Sequence, residues 1–237
     1  MFHKLVKNNG VVPRSVENSP FMNAIEIHGV SKSFGGFKAV ADLSLNVPDG
    51  SIYGFIGPNG SGKTTTIRMI MNIILPDQGD IQVLGHRSTS AARDDVGYLP
   101  EERGLYKKMQ VRRLLRYYGR LKGRAVASLD LVITEWLQRL QLADWADKRV
   151  DQLSKGMAQK VQFISAVVAK PKLLILDEPF SGLDPVNAES LRDAVLELRR
   201  QGTTIVFSTH DMSAAERLCD RIFMIFNGQK VLDGSLD

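Results

Sequence analysis

The sequence predicts an α/β fold with a parallel core sheet and a helical insert, on three observations. Leu173–Leu176 is an unbroken apolar run, the pattern of a strand buried on both faces of a parallel sheet. A glycine-rich loop, Gly57 to Gly62, follows a short strand-like run and opens into a helical one. From Arg93 to about Lys170 the apolar residues recur at helical rather than alternating spacing. With 237 residues, 43% of them hydrophobic, the chain can bury one large core, or a core plus an inserted lobe.

Ala24–Val30 alternates and reads as an opening strand, and so does the stretch carrying Leu43, Leu45 and Val47. Pro48-Asp49-Gly50 then turns the chain into a short strand, Ser51–Ile56. Thr64–Leu75 has helical character and is stopped by Pro76; Ile81–Leu84 is a strand ended by Gly85. In the insert, Val111, Leu114, Leu115, Tyr118 and Leu121 share one helical face. A second amphipathic run covers Leu131–Leu142, and a third begins near Ser154. After Leu173–Leu176 come a helix at Ser190–Arg200, a strand at Thr204–Phe207 and a short helix at Ala214–Leu218. Ile222–Phe226 and Gln229–Leu232, joined by Asn227-Gly228, form a hairpin with a two-residue turn. No internal repeat is visible.

The most apolar stretches, Ile67–Leu75, Phe163–Ala169 and Ile222–Phe226, are too short to cross a bilayer. Residues 1–22 read as a flexible leader containing Pro13 and Pro20, without the apolar centre of a secretory signal, and Met22 is an alternative start. The single cysteine, Cys219, cannot form an internal disulfide, which suits a reducing compartment, and reads as a small buried hydrophobe. The net charge of +5 says little about partners by itself.

The chemistry concentrates in two places. Gly57-Pro58-Asn59-Gly60-Ser61-Gly62-Lys63-Thr64 matches the phosphate-loop pattern G-x-x-x-x-G-K-[ST] between a strand and a helix. Glycines let backbone N–H groups wrap phosphates, and the helix start adds partial positive charge. Lys63 can then reach the β- and γ-phosphates, Thr64 can ligate Mg²⁺, and Thr65 stands near the α-phosphate. The second place is Asp177-Glu178, two acids at the tip of an apolar strand, where open α/β sheets bind ligands. Asp177 suits Mg²⁺ held through water, and Glu178 suits polarisation of an attacking water. His210, after the strand Thr204–Phe207, is within plausible reach of a γ-phosphate; His3, His28 and His86 have no such context.

From about Ala24 onward the order of these motifs resembles the ATP-binding cassette (ABC) family. The diagnostic segment is Leu153-Ser154-Lys155-Gly156-Met157-Ala158-Gln159-Lys160, similar to the family signature Leu-Ser-Gly-Gly-Gln followed by Gln-Lys or Gln-Arg. Ser154 can also cap a helix whose first N–H groups suit an anion. The resemblance implies a P-loop NTPase core with an antiparallel β subdomain and an inserted α-helical subdomain. Residues 23–237 would form the ATPase domain, with about 23–92 and 171–237 as catalytic core and about 93–170 as helical subdomain. A small extension beyond Asp237 is also expected on this basis.

It implies ATP and Mg²⁺ as ligands, with Lys63, Glu178 and His210 catalytic. Phe34 would stack on adenine. Ser154 and Gly156 would serve the nucleotide of a second ATPase subunit, and Asp184 the dimer interface. The function implied is ATP hydrolysis at the cytoplasmic face of a membrane, driving a separate integral membrane permease, in export. Three departures stand out: Lys155 and Met157 in the signature, and Glu101 where many members carry a glutamine that senses Mg²⁺ and the membrane subunit. Lys155 could add charge near the partner's γ-phosphate or simply be solvated. These variants are similar to a bacterial branch that includes sodium-extrusion and drug-export ATPases.

Between Arg103 and Arg124 lie nine Lys or Arg residues and no Asp or Glu. They read either as a solvated face or as a surface for an acidic docking site or anionic lipid, and reversal of Arg112, Arg113 and Arg116 would test the second. A soluble ABC ATPase acting on DNA or ribosomes is the alternative function. The resemblance implies a long coiled-coil insert or two cassettes for such proteins, this sequence shows neither, and no nucleic acid partner is expected. A cassette that binds ATP without hydrolysing it is disfavoured by the presence of Lys63, Asp177, Glu178 and His210.

Overall fold

The computed structural model describes residues 23–87, 89–102 and 104–236. The leader, with Met22, and Arg103 and Asp237 therefore lie outside the described residues. The chain begins with two long strands, β1 (Asn23–Phe34) and β2 (Phe37–Pro48), joined by a turn at Gly35-Gly36. After β3 (Ile52–Ile56) and α1 (Lys63–Ile70), β4 (Gln78–Val83) returns to pair with β1. The three form an antiparallel sheet in the order β2-β1-β4. The segment then passes through α2 (Thr89–Ala92), β5 (Val96–Leu99), α3 (Val111–Leu121), α4 (Val126–Arg139) and α5 (Lys155–Val167). The last part alternates: β6 (Leu173–Asp177), α6 (Pro185–Arg200), β7 (Thr204–Thr209), α7 (Met212–Leu218), then the hairpin β8 (Arg221–Phe226) and β9 (Gln229–Ser235).

The second sheet runs β5-β6-β7-β3-β8-β9, parallel throughout except for the hairpin strand β9. Every residue of β3, β6 and β7 is buried, as expected for strands covered on both faces. The side chains divide by parity. Leu174, Leu176, Ile205 and Phe207 join a core with α3, α4, α5 and α6. Leu173, Ile175 and Val206 join the other core, with α1 and the antiparallel sheet.

Four sequence expectations are corrected. The α1 helix ends at Ile70 rather than Leu75, because Asn72 turns left-handed (φ 55°) and Ile73 and Leu75 face solvent. Val96–Leu99, inside the span read as helical, is a strand that pairs with β6. On α3, Val111, Leu114 and Leu115 are buried, but Leu121 is 58% exposed. The second run begins at Val126, and its buried face is Leu129, Ile133, Trp136 and Leu137, with Leu131 outside.

Cys219 is partly buried against both the main helical core and a small cluster around Ala215. Burial pushes its thiol up to about 12. Gly54 makes room for it, since a Cβ there would come within 2.6 Å of the Cys219 sulfur.

Candidate functional site

Three neighbouring parallel strands bring the candidate residues together at their carboxyl ends. The phosphate loop leaves β3, Asp177 ends β6, and His210 follows β7. Close packing dictates the loop's glycines. A Cβ on Gly57 would stand 2.3 Å from the Ile225 carbonyl oxygen. Gly62 has φ 111°, and a Cβ there would meet the Ala39 oxygen at 2.7 Å. Gly62 caps α1 with no side chain, and the first turn holds no acid, so its leading N–H groups remain open to an anion.

Lys63 is buried, and its ammonium donates to the carbonyls of Gly57 (2.7 Å) and Pro58 (3.2 Å). Glu178 Oε1 lies 3.6 Å from Lys63 Nζ and 3.1 Å from His210 Nδ1. Glu178 is itself buried, in a left-handed conformation (φ 48°) that is costly for a side-chain-bearing residue. Its N–H donates to Ser208 Oγ at 3.0 Å, and that hydroxyl donates to Asp177 Oδ1 at 2.5 Å. Thr64 Oγ1 also donates to Asp177 Oδ1, at 3.4 Å.

Asp177 Oδ2 is buried with no protein donor. An unpartnered carboxylate oxygen beside a threonine hydroxyl fits a hydrated hard cation. These residues could hold Mg²⁺ there. Tyr98 is pushed up to about 12, first by burial and then by the charge of Asp177, so it stays a neutral phenol near the site.

A cavity of about 330 Å³ is lined by Phe34, Phe37, Ala39, Asn59, Gly60, Ser61, Gly62, Lys63, Thr64, Thr65, Glu101 and Glu178, with Asp177 and His210 outside its lining. Phe34 and Phe37 face each other across the β1–β2 turn, both half exposed or more. The Lys32 ammonium lies 5.6 Å from the Phe34 ring centre. His210 reaches Glu178 but also lines a neighbouring apolar groove of about 630 Å³ with Pro58, Met212, Met224 and Phe226.

Ser154, Gly156 and Asp184 are not in that cavity. They form a second cluster at the starts of α5 and α6. Ser154 Oγ caps α5 by accepting the Met157 N–H at 3.2 Å. Asp184 caps α6 and accepts the Asn187 N–H at 3.0 Å, which with the Asn187 side chain holds its carboxyl below the usual range. Asn187 packs on Gly156, where a Cβ would come within 2.7 Å of its amide nitrogen. The Lys155 ammonium lies over Gly182 of the same chain.

Sequence reasoning missed several residues here. Phe37 follows the glycine turn but carries no motif. Ser208 is hidden within a strand. Gly228, read only as a hairpin turn, donates its N–H to the Ser61 carbonyl at 2.9 Å and so props the phosphate loop.

Comparison with known proteins identifies what the chain is similar to. A family model described as ABC transporter matches residues 40–181. The ABC transporter ATP-binding protein YhaQ of Bacillus subtilis is 47% identical over 212 residues, 90% of this chain and 71% of the relative. The Nod factor export ATP-binding protein I of Bradyrhizobium diazoefficiens is 39% identical over 217 residues, again 90% and 71%. A solved structure of an ATP-binding subunit of an ABC transporter superposes with a TM-score of 0.84 at 31% identity, covering 90% of each chain. With a family model over more than half of its length and a relative 47% identical over 90% of it, this chain belongs to the ABC transporter family, among its ATP-binding proteins.

Proposed function

We propose that the chain binds ATP with Mg²⁺ in the 330 Å³ cavity and hydrolyses it, driving a separate membrane permease. The observation that carries this reading is the convergence of Lys63 and Thr64, after β3, with Asp177 and Glu178, at the end of β6, across the intervening β7. The open N–H groups of α1 and the Lys63 ammonium bind the phosphates. Thr64 and Asp177 would hold the metal, which when bound would supply positive charge to the phosphates. Glu178 orients the attacking water and draws its proton, and His210 holds the Glu178 carboxylate from the side. Phe34, with Phe37, offers an aromatic surface to the adenine at the mouth. Glu101, which lines the same cavity, would serve the metal end.

The exposed cluster of Ser154, Gly156 and Asp184 lies outside its own chain's cavity, which supports a role toward the nucleotide of a second ATPase subunit. Two copies of this chain, or this chain and a related one, would then enclose two ATP molecules. Among the described residues no helix is long and apolar enough to cross a membrane, so the pathway would belong to the permease, with this chain at its cytoplasmic face. Export is supported by the name of the Nod factor relative. The named relatives are transporter and export proteins, which favours transport over action on DNA or ribosomes.

Glu178→Gln tests the chemistry. Expected is ATP affinity close to wild type with turnover reduced about 10²-fold or more, measured by nucleotide titration and phosphate release. Turnover at the wild-type rate would remove Glu178 from this role.

A further inference from the structure

We propose that Gln162 is a positioning residue, whose amide pins the backbone on both sides of Glu101 and so sets where that carboxylate stands in the phosphate cavity. Gln162 sits in the middle of α5 and is 4% exposed. Its Nε2 lies 3.3 Å from the Pro100 carbonyl oxygen and 3.3 Å from that of Glu102. Two acceptors on one side fix the amide's orientation, because only the NH₂ end can face them. The other end, Oε1, is then buried with no donor.

That orphaned oxygen is informative. A buried acceptor without a partner is destabilising, and an apolar side chain of the same length would serve packing alone better. What the amide supplies is a hold on the loop. Pro100 has no N–H, so its carbonyl is the only backbone group by which the loop can be tied at that residue.

Gln159 lies one turn earlier on the same helix and is equally buried. It donates to the Pro179 carbonyl at 3.2 Å, directly after Glu178. One helix therefore grips the two loops that carry Glu101 and Glu178, and both carboxylates line the same cavity. The gap between them is set by α5, whose first turn is the Ser154 segment. A shift of that segment would move both carboxylates together.

Hydrogen exchange on the full chain tests this. Gln162→Met keeps the length and removes the donor. Peptides spanning Val96–Glu102, whose strand amides lie beside β6 and lead into the tied loop, should exchange about 10-fold faster, while those spanning Pro179–Leu183 stay as in wild type. Gln159→Met should give the reverse pattern. ATP affinity in EDTA should be unchanged in Gln162→Met, whereas the Mg²⁺ concentration giving half-maximal turnover should rise several-fold. In a Glu101→Ala background Gln162→Met should add nothing to that rise.

Unchanged exchange across Val96–Glu102 overturns the proposal, and so does equal acceleration along the whole chain, which signals plain loss of stability. Should Gln162→Met not fold, Gln162→Asn, too short to reach both carbonyls, carries the same test. The inference rests on the reading of Glu101 as facing the metal. If Glu101→Ala leaves the Mg²⁺ requirement unchanged, that reading falls, while the exchange pattern still decides whether Gln162 holds the loop.

Discussion

Ser208 joins the two acids to which the proposed chemistry is assigned. Its hydroxyl donates to Asp177 and accepts the Glu178 N–H, so one buried group fixes a carboxylate and the strained residue beside it. Removing it leaves the Glu178 N–H without its acceptor and Asp177 Oδ1 with the Thr64 hydroxyl alone, at 3.4 Å. Ser208→Ala is expected to lower stability by about 1–3 kcal/mol, the cost of a buried polar group left unpaired. Turnover should fall about 10-fold, because the left-handed Glu178 loses its anchor. ATP affinity in EDTA should hardly change, since the Lys63 contacts do not involve Ser208. A denaturant melt, nucleotide titration and phosphate release check the three together. Wild-type turnover in a folded variant would show that Glu178 is positioned without Ser208.

At the scale of elements, the β8–β9 turn does more than reverse the chain. Asn227 and Gly228 both have positive φ (48° and 74°), the conformation of a tight turn matched to strand twist. The Gly228 carbonyl accepts the Ala41 N–H at 2.8 Å, and its N–H reaches the Ser61 carbonyl at 2.9 Å. One turn thus ties β2 of the antiparallel sheet to the phosphate loop. A Cβ at Gly228 would stand 2.6 Å from the Ala39 oxygen. Gly228→Ala is therefore expected to destabilise the fold by about 1–3 kcal/mol and to weaken ATP binding several-fold, although it touches no phosphate. Unaltered ATP affinity in calorimetry would detach the turn from the loop. This contact also shows where the sequence stops being legible. The hairpin was readable from Asn227-Gly228, and Lys63, Thr64, Asp177 and Glu178 from local spacing, because each pattern sits within a few residues. The support given by Gly228, Ser208 and Gln162 depends on partners brought close only by the fold. The end of α1 was misread for a related reason: Ile73 and Leu75 continue the apolar run, but a left-handed Asn72 ends the helix and exposes them. β5 was hidden because four residues give too short a pattern to outweigh the helical stretches around them.

At the scale of the whole molecule, the central sheet separates two cores, and Arg112, Arg113, Arg116 and Arg120 lie on α3, which packs into the first of them. The fold sorts that charge. Arg112 donates to Thr134 Oγ1 at 3.0 Å, and Arg116 forms a bidentate pair with Asp130, clasping α3 to α4. Lys122 is spent on the Val96 carbonyl and Arg124 on that of Ala169. Reversing Arg112 or Arg116 would therefore disturb the lobe itself and could not isolate a docking role. Arg113 and Arg120 have no carboxylate partner among the described residues. They flank a groove of about 630 Å³ floored by Met109, Tyr117, Leu121 and Val126. An apolar floor with a cationic rim suits an amphipathic helix bearing acidic residues, the kind of segment a permease could present. Arg113→Glu with Arg120→Glu is expected to leave ATP affinity and the thermal midpoint near wild type, because neither side chain is used inside the fold. Co-purification with the membrane complex should fall about 10-fold or more, since each reversal replaces attraction by repulsion at a rim. Retention of the double variant in the complex at wild-type yield would move the docking surface off this groove, and equal loss of the folded protein would mean that the two arginines serve stability after all.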